Sequence, residues 1–343
     1  MTAVKALAPL IIPLFIPHQG CPHRCIFCNQ QPITGANEEA AAAYSTNDIS
    51  AEIDKWLARS PRRGRQVQVA FYGGSFTGLA IGRQQELLGA VQPFLLAGKV
   101  DAIRLSTRPD YIDSGTADFL WNYGVRIVEL GVQSLNDRVL TASHRGHTVA
   151  QAIQALDYLS RSGLQVGVQL MLGLPAETSL SALRGARQLA LMKPDFARLY
   201  PALVIKGSAL EALYRGGYYR PLTMNQAIAL TASIKTIFTE SGIPVIRIGL
   251  PASTELAESL LAGPYHPALG ELVAARIFFR RARKILSSRT AGRHYKLAVA
   301  AQDRSIFYGQ KKCNWQRLEK LGLLEDVEIN FENTMPRGTM KFL

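Results

Sequence analysis

A chain of 343 residues with 48% hydrophobic and 19% charged content can bury a sizeable core, which excludes a disordered protein and suggests one large α/β domain with a small appendage. Lys and Arg total 39 against 26 Asp and Glu, a formal +13 that makes a polyanion such as nucleic acid a candidate partner. Only four cysteines are present, three of them clustered, which excludes a disulfide scaffold and points to a reducing compartment, the cytoplasm.

In chain order, the apolar run 6–16 could pass for a signal-peptide core. It lacks a basic start and a clear cleavage site, Pro9, Pro13 and Pro17 interrupt it, and it is too short to span a bilayer. A buried strand over 10–16 is the better reading, and no membrane partner is expected. A loop with Cys21, Cys25 and Cys28 follows, then a small, polar linker over 36–43 and a helix capped at Thr46 or Asn47. Arg62, Arg63 and Arg65 lie in the next turn. Strands are then expected over 66–72, 102–106, 126–130, 165–172 and 196–203, separated by helices over 84–96, 116–123, 149–162 and 180–192. A helix over 224–240, one more strand over 245–248 and an irregular loop over 262–270 follow. A helix over 270–286 ends in Arg280, Arg281, Arg283 and Lys284. Strands over 295–301 and 327–331, with helix over 316–321, complete a small α/β appendage.

Strand and helix alternate about six times between 10 and 203, which builds parallel strands with right-handed crossovers. Pattern alone does not choose between a barrel, a partial barrel and an open sheet. In each, the loops after the strands share one edge, where chemistry collects. The unusual residues fall in those loops: the cysteines, Gly73-Gly74, Arg108-Pro109-Asp110, Gln133 and Gly173-Leu174-Pro175.

The cysteine gaps are three residues and then two. Three thiolates this close suit a compact soft metal centre. A tetrahedral zinc site would need a fourth ligand, and His18 and His23 are near enough to keep zinc open. A 4Fe-4S cluster with one open iron is the other reading, and it needs only three thiolates.

The segment Cys21-Pro-His-Arg-Cys25-Ile-Phe-Cys28 resembles the cluster loop of the radical SAM superfamily, and Gly73-Gly74-Ser75-Phe76-Thr77-Gly78 resembles its Gly-Gly loop. Ser106 to Asp110, Glu129 to Ser134, Arg145-Gly146-His147-Thr148, Gly173-Leu174-Pro175 and Arg198-Leu199-Tyr200-Pro201 look like the radical SAM half of the Elongator catalytic subunit, over residues 10–220. The resemblance implies a partial (βα)6-type parallel barrel over 1–250 and an accessory region over 251–343. It also implies reductive cleavage of S-adenosylmethionine at a 4Fe-4S cluster, fed by an electron donor such as flavodoxin or ferredoxin, to make a 5′-deoxyadenosyl radical. Cys21, Cys25 and Cys28 would hold the cluster. Phe27, Gly73, Gly74, Ser75, Gln133 and Arg145 would surround the cofactor, with Arg145 placed to pair with its carboxylate.

The expected substrate is a tRNA or RNA base, with the arginines at 62–65 and 280–284 on phosphates. A tetrapyrrole-like small molecule and a non-catalytic carrier are the alternatives. Ser106 stands where related coproporphyrinogen oxidases carry Glu, Gln169 where they carry Asp, and Gln30 where they carry a further Cys. The acetyltransferase half of the Elongator subunit has no counterpart. Methylthio-transfer would need a second cysteine trio, and only Cys313 remains. His266 reads as a loop hydrogen-bonder and Cys313 as a bystander.

Overall fold

A computed structural model describes residues 8–16, 19–22, 25–29, 45–60, 62–290 and 293–343. The expected linker at 36–43, His18 and His23 lie outside them. Seven parallel strands form one sheet in the order β1-β2-β3-β4-β5-β6-β8. They are β1 Leu10–Phe15, β2 Val67–Tyr72, β3 Ala102–Thr107, β4 Val125–Gln133, β5 Gln165–Leu172, β6 Phe196–Pro201 and β8 Val245–Ile248. Between β6 and β8, β7 (Val204–Ile205) pairs antiparallel with β9, Leu260–Ala262. The sheet is a half-barrel, six strands as the alternation implies plus β8 beside β6.

Period-2 alternation within each strand sorts its side chains between the two faces. Ile12, Leu14, Val69, Phe71, Ile103, Leu105, Val128, Leu130, Val166 and Val168 point to the helices and form the main core. Those helices start on side-chain caps: Ser45, Thr148, Thr178 and Thr223 each complete a capping box. On the concave face stand Ile11, Pro13, Phe15, Tyr72, Arg104, Glu129, Gly131, Gln169, Met171, Arg198 and Tyr200. Ala102, Ile127 and Phe196 close its lower end as a small apolar cluster.

Three boundaries differ from the expected ones. The helix over 84–96 is two, Ile81–Gly89 and Gln92–Leu96, because Pro93 suits a first turn and cannot continue a helix. Strand β4 runs on to Gln133 through a register shift after Leu130, and Gln133 takes φ +63 at its end. A strand too short to read from pattern, β12 (Met340–Phe342), pairs antiparallel with β10 (Tyr295–Ala300), whose other neighbour is β11, Val327–Glu332.

This three-stranded sheet has its own core of Phe278, Phe279, Leu286, Leu297, Val299, Phe307, Leu318 and Met340. The helix Leu269–Leu286 supplies part of it and docks on the helix Met224–Glu240, where Arg280 donates to Ser233 Oγ at 3.0 Å and Ala229 O at 3.3 Å. No described helix is long and apolar enough to cross a membrane.

The floor of the half-barrel can be tested by overpacking. A Cβ at Gly167 would run into the Phe196 ring. Gly167→Ala should lower unfolding free energy by about 1–3 kcal/mol in urea titrations, the usual cost of an unaccommodated methyl group in a tight core.

Candidate active site

Three glycines let the loops after β1 and β2 lie backbone on backbone. Gly20, at φ +70, has no room for a Cβ against Ser75 O. A Cβ on Gly74 would collide with Gln19 O and one on Gly78 with Gly20 O, while Ser75 N–H donates to Gln19 O at 2.9 Å. The missing Cβ of Gly74 is therefore required by the neighbouring loop. Beyond Cys25 the first loop crosses the top of the sheet. Ile26 N–H donates to Ser143 O at 3.2 Å, Ile26 O accepts from Leu210 N–H at 2.7 Å, and Asn29 Nδ2 donates to Lys206 O at 2.8 Å. The cysteine loop thus forms a roof anchored on the segments after β4 and β6.

Under it lies a cavity of about 650 Å³, within the usual range for small-molecule sites. Cys21, Cys25, Cys28, Phe27, Gly73, Gly74, Gln133 and Arg145 all line it. Ser75 does not. It is fully buried behind the wall, where its Oγ lies 3.1 Å from Thr107 Oγ1 and accepts from Arg108 N–H at 3.2 Å. Among the described residues four arginines, Arg108, Arg145, Arg198 and Arg247, line the cavity, and no carboxylate does.

Arg145 is held by donating through Nη2 to Gly131 O at 2.8 Å, and its Nη1 lies 3.4 Å from Cys25 Sγ. A Cβ on Gly131 would stand 2.7 Å from Arg145 Nη2, so a side chain there would push the guanidinium from this position. Arg108 makes a two-point pair with Asp110 at 2.8 and 3.0 Å. Arg145 Nε, Arg108 Nη1 and Ser106 Oγ are buried with no hydrogen-bond partner among the described residues. Burial raises the Cys21 thiol pKa, and Arg145 and Arg108 pull it back down. His147 donates from Nε2 to Val132 O at 3.2 Å, and burial followed by Arg145 pushes its pKa down to about 3.

Beneath these residues the fully buried Glu129 accepts from Arg104 Nε at 2.5 Å, Arg198 Nη2 at 2.7 Å, Tyr72 OH at 3.2 Å and Gln169 Nε2 at 3.0 Å. Burial works to lower the Arg198 pKa, and Glu129 with Tyr200 and Tyr72 raises it above the usual arginine range. This hub was missed as a unit in the sequence. Its signal was a lone charge inside an apolar strand, Arg104 in β3 and Glu129 in β4.

The donor set fits an iron–sulfur cluster. Among the described residues no three His, Cys, Asp or Glu converge closely enough for a single metal ion. Three thiols nevertheless share one cavity, and a multi-iron cluster takes its thiolates at separate corners. Guanidiniums beside Cys21 and Cys25, with unpartnered N–H groups, suit an anionic cluster and a carboxylate-bearing cofactor.

Other expected residues lie elsewhere. Arg62 pairs with Asp101 at 2.6 Å and donates to Gly98 O, at the sheet edge opposite the cavity. Arg280 and Arg281 are engaged by Ser233 and Gly338 O. His266 Nδ1 accepts from Ala268 N–H at 3.0 Å, a loop hydrogen bond, and exposed Cys313 is outside the cavity.

The family model described as Radical SAM superfamily matches residues 15–180, and the one described as Radical_SAM C-terminal domain matches residues 194–278. An uncharacterized protein of Methanocaldococcus jannaschii is 30% identical over 255 residues, covering 71% of this chain and 76% of its own length. The tRNA uridine(34) acetyltransferase of the same organism is 27% identical over 263 residues, covering 66% of this chain and 48% of its own length, so the chain spans about half of that relative. The solved Methanocaldococcus infernus Elp3 with an N-terminal deletion superposes with a TM-score of 0.60 at 22% identity, covering 82% of this chain and 64% of that one, and shares the fold.

Glu129→Ala would leave Arg104 and Arg198 buried and unpaired, and should cost about 3–5 kcal/mol in chemical denaturation. His147 gives a pH signature. With a folded pKa of about 3 and an ordinary value of 6.5, the unfolded chain binds the extra proton between those limits, so stability falls as pH drops below 6.5. The loss by pH 4.5 should be roughly 2–3 kcal/mol. Glu177, raised to about 7 by burial, works in the opposite sense, so the His147 effect is read as the difference between wild type and His147→Gln in pH-dependent melts.

Proposed function

The chain belongs to the radical SAM superfamily, and from that premise we propose that it modifies a tRNA base by abstracting a hydrogen atom from it. It is a radical SAM enzyme, and such enzymes use a 4Fe-4S cluster and S-adenosylmethionine. The observation that carries the reading is the gathering of three thiols and two guanidiniums under one roof, at the edge of the half-barrel where its strands end.

When bound, the reduced cluster supplies the electron that cleaves the sulfonium of S-adenosylmethionine to a 5′-deoxyadenosyl radical. The chain's own residues prepare the place. Cys21, Cys25 and Cys28 serve as thiolate ligands. Arg145, fixed by Gly131 O, presents a guanidinium beside Cys25 for the cofactor carboxylate. Gly73 takes φ +100, a conformation suited to glycine, and offers bare backbone to the cofactor. Gln133, held at φ +63, directs its amide into the same wall. Phe27 lines the cavity and packs against two small apolar clusters, one containing Val204 and Leu210 and the other Val139, Leu174 and Ala202. Ser75 acts through Thr107 and the Arg108 backbone, holding the wall in shape.

An RNA substrate is supported by the likeness to a tRNA uridine(34) acetyltransferase and by the formal +13. We assign residues 1–250 to the catalytic unit and 251–343 to an accessory region. Reduction calls for a one-electron donor of the flavodoxin or ferredoxin kind, and the cytoplasm is the compartment that would supply it.

The test is anaerobic reconstitution, reduction, and measurement of 5′-deoxyadenosine with and without bulk tRNA. Wild type should release it, and digests of the treated tRNA should contain a changed nucleoside. Cys25→Ala should bring release to background, because two thiolates do not hold the cluster. Turnover by the variant would refute the assignment of the loop.

A further inference from the structure

The charge of this protein is unevenly placed. Residues 269–343 carry fifteen Lys and Arg against seven Asp and Glu, a balance of +8 out of +13 for the whole chain. Most of this stretch lies beyond both matched family models, the second of which ends at residue 278. It surrounds the second core and the three-stranded sheet.

On one face of this unit the cations are crowded together. Asn314 Nδ2 donates to Ala275 O at 2.9 Å and to Ile306 O at 3.1 Å, which sets the start of the helix Cys313–Lys320 against the helix Leu269–Leu286 next to Arg276. Burial lowers the Arg276 pKa, and Arg317 and Arg280 lower it further, the mark of like charges held side by side. Arg317 lies over the Phe279 ring at 4.1 Å and makes no ion pair among the described residues. Lys311 and Lys312, both exposed, immediately precede the helix at φ 51 and 59. Two consecutive non-glycine residues in the left-handed region are strained, and lysines at the positive end of a helix oppose its dipole. A bound anion would offset the second of these costs. Of the acids in this unit, Asp303 takes Arg337 and Gly338 N–H and Glu328 takes Lys296, while the exposed Glu319 stands on the same helix as Arg317.

Next to Lys311 and Lys312 in the chain stand partly buried aromatics that pack against Phe307 of the second core. Tyr308 lies 5.3 Å from Trp315 and 5.8 Å from Phe331, centroid to centroid, with Arg304 over Phe331 at 4.4 Å. Cations alternating with aromatic rings are the arrangement that holds unpaired nucleotides, phosphates on the charges and bases on the rings.

We propose that Arg276, Lys311, Lys312 and Arg317, bordered by Tyr308 and Trp315, form the surface on which the RNA substrate docks, with backbone phosphates on the cations and an unpaired base against Trp315. The inference rests on the reading of the substrate as RNA. It moves the contact away from Arg62, which Asp101 occupies, and from Arg280 and Arg281, which hold the fold together.

The test is binding of bulk tRNA by the full chain over a salt series, with thermal melts to confirm folding and RNA-free 5′-deoxyadenosine release measured in parallel. Lys311→Gln with Lys312→Gln should weaken binding and lower the salt slope by roughly 1.5, about 0.7–0.9 for each phosphate contact removed. Arg276→Gln with Arg317→Gln should act alike. Trp315→Leu should lose roughly tenfold in affinity with the slope kept, and wild-type tryptophan fluorescence should be quenched by tRNA. Arg63→Gln, on the opposite edge, should leave both quantities unchanged. Unaltered slopes in both double variants, or an equal loss in Arg63→Gln, would overturn the docking surface. Tighter wild-type binding to anionic lipid vesicles than to tRNA would overturn the RNA assignment. RNA-free 5′-deoxyadenosine release should be the same in every variant, so a failed surface is told apart from a failed reading of the catalytic site.

Discussion

The interior of the half-barrel depends on one carboxylate. Glu129, fully buried on β4, binds the guanidiniums of Arg104 on β3 and Arg198 on β6, and it also accepts from Tyr72 on β2 and Gln169 on β5. Five adjacent strands are joined through a single residue. A half-barrel has no ring of strands to close its concave face, so polar groups placed there must satisfy one another. Taking these charges out of water is costly, and it is tolerated only because almost every lone pair of Glu129 is used. The ratio matters as much as the contact. Two guanidiniums share one carboxylate, so the floor of the cavity stays positive, and Arg145 and Arg108 extend that sign up the wall. A thiolate-bound cluster and an amino-acid carboxylate are both favoured above such a floor.

The roof is built by a different physics. The approach of the first loop to the second depends on three positions where a side chain would strike backbone: Gly20, Gly74 and Gly78. From there the cysteine loop is carried across the sheet by main-chain hydrogen bonds to the segments after β4 and β6. Its thiols are thus set by loops that belong to three different strands. Their positions are tied to the half-barrel as a whole rather than to a local knot, which separates this arrangement from a self-contained zinc loop.

Much of this was legible in the residues. Alternating apolar strands and capped helices announced the parallel sheet, and the loop positions of Cys21, Gly73 and Gln133 pointed to the edge where the cavity lies. Pairings distant in sequence were not legible. Nothing in β3 and β4 as strings says that Arg104 and Glu129 meet, because that depends on register across the sheet. Arginines look alike in sequence. Only the fold shows that Arg62 is spent on Asp101, Arg280 on Ser233, and Arg198 on Glu129, while Arg247 faces the cavity. Gly74 lines the cavity, and the structure adds that the loop before Cys21 also needs it to lack a Cβ. Strand β12 is three residues long, too short for any periodicity to reveal.

The central claim is that Cys21, Cys25 and Cys28 hold a 4Fe-4S cluster with one iron open to S-adenosylmethionine. Electron paramagnetic resonance of the anaerobically reconstituted, reduced protein, recorded before and after addition of S-adenosylmethionine, tests it most directly. The account predicts a reduced-cluster signal that changes when S-adenosylmethionine is added, with iron and sulfide in 4Fe-4S stoichiometry. A protein that takes up stoichiometric zinc instead, or a cluster signal indifferent to S-adenosylmethionine, would contradict it.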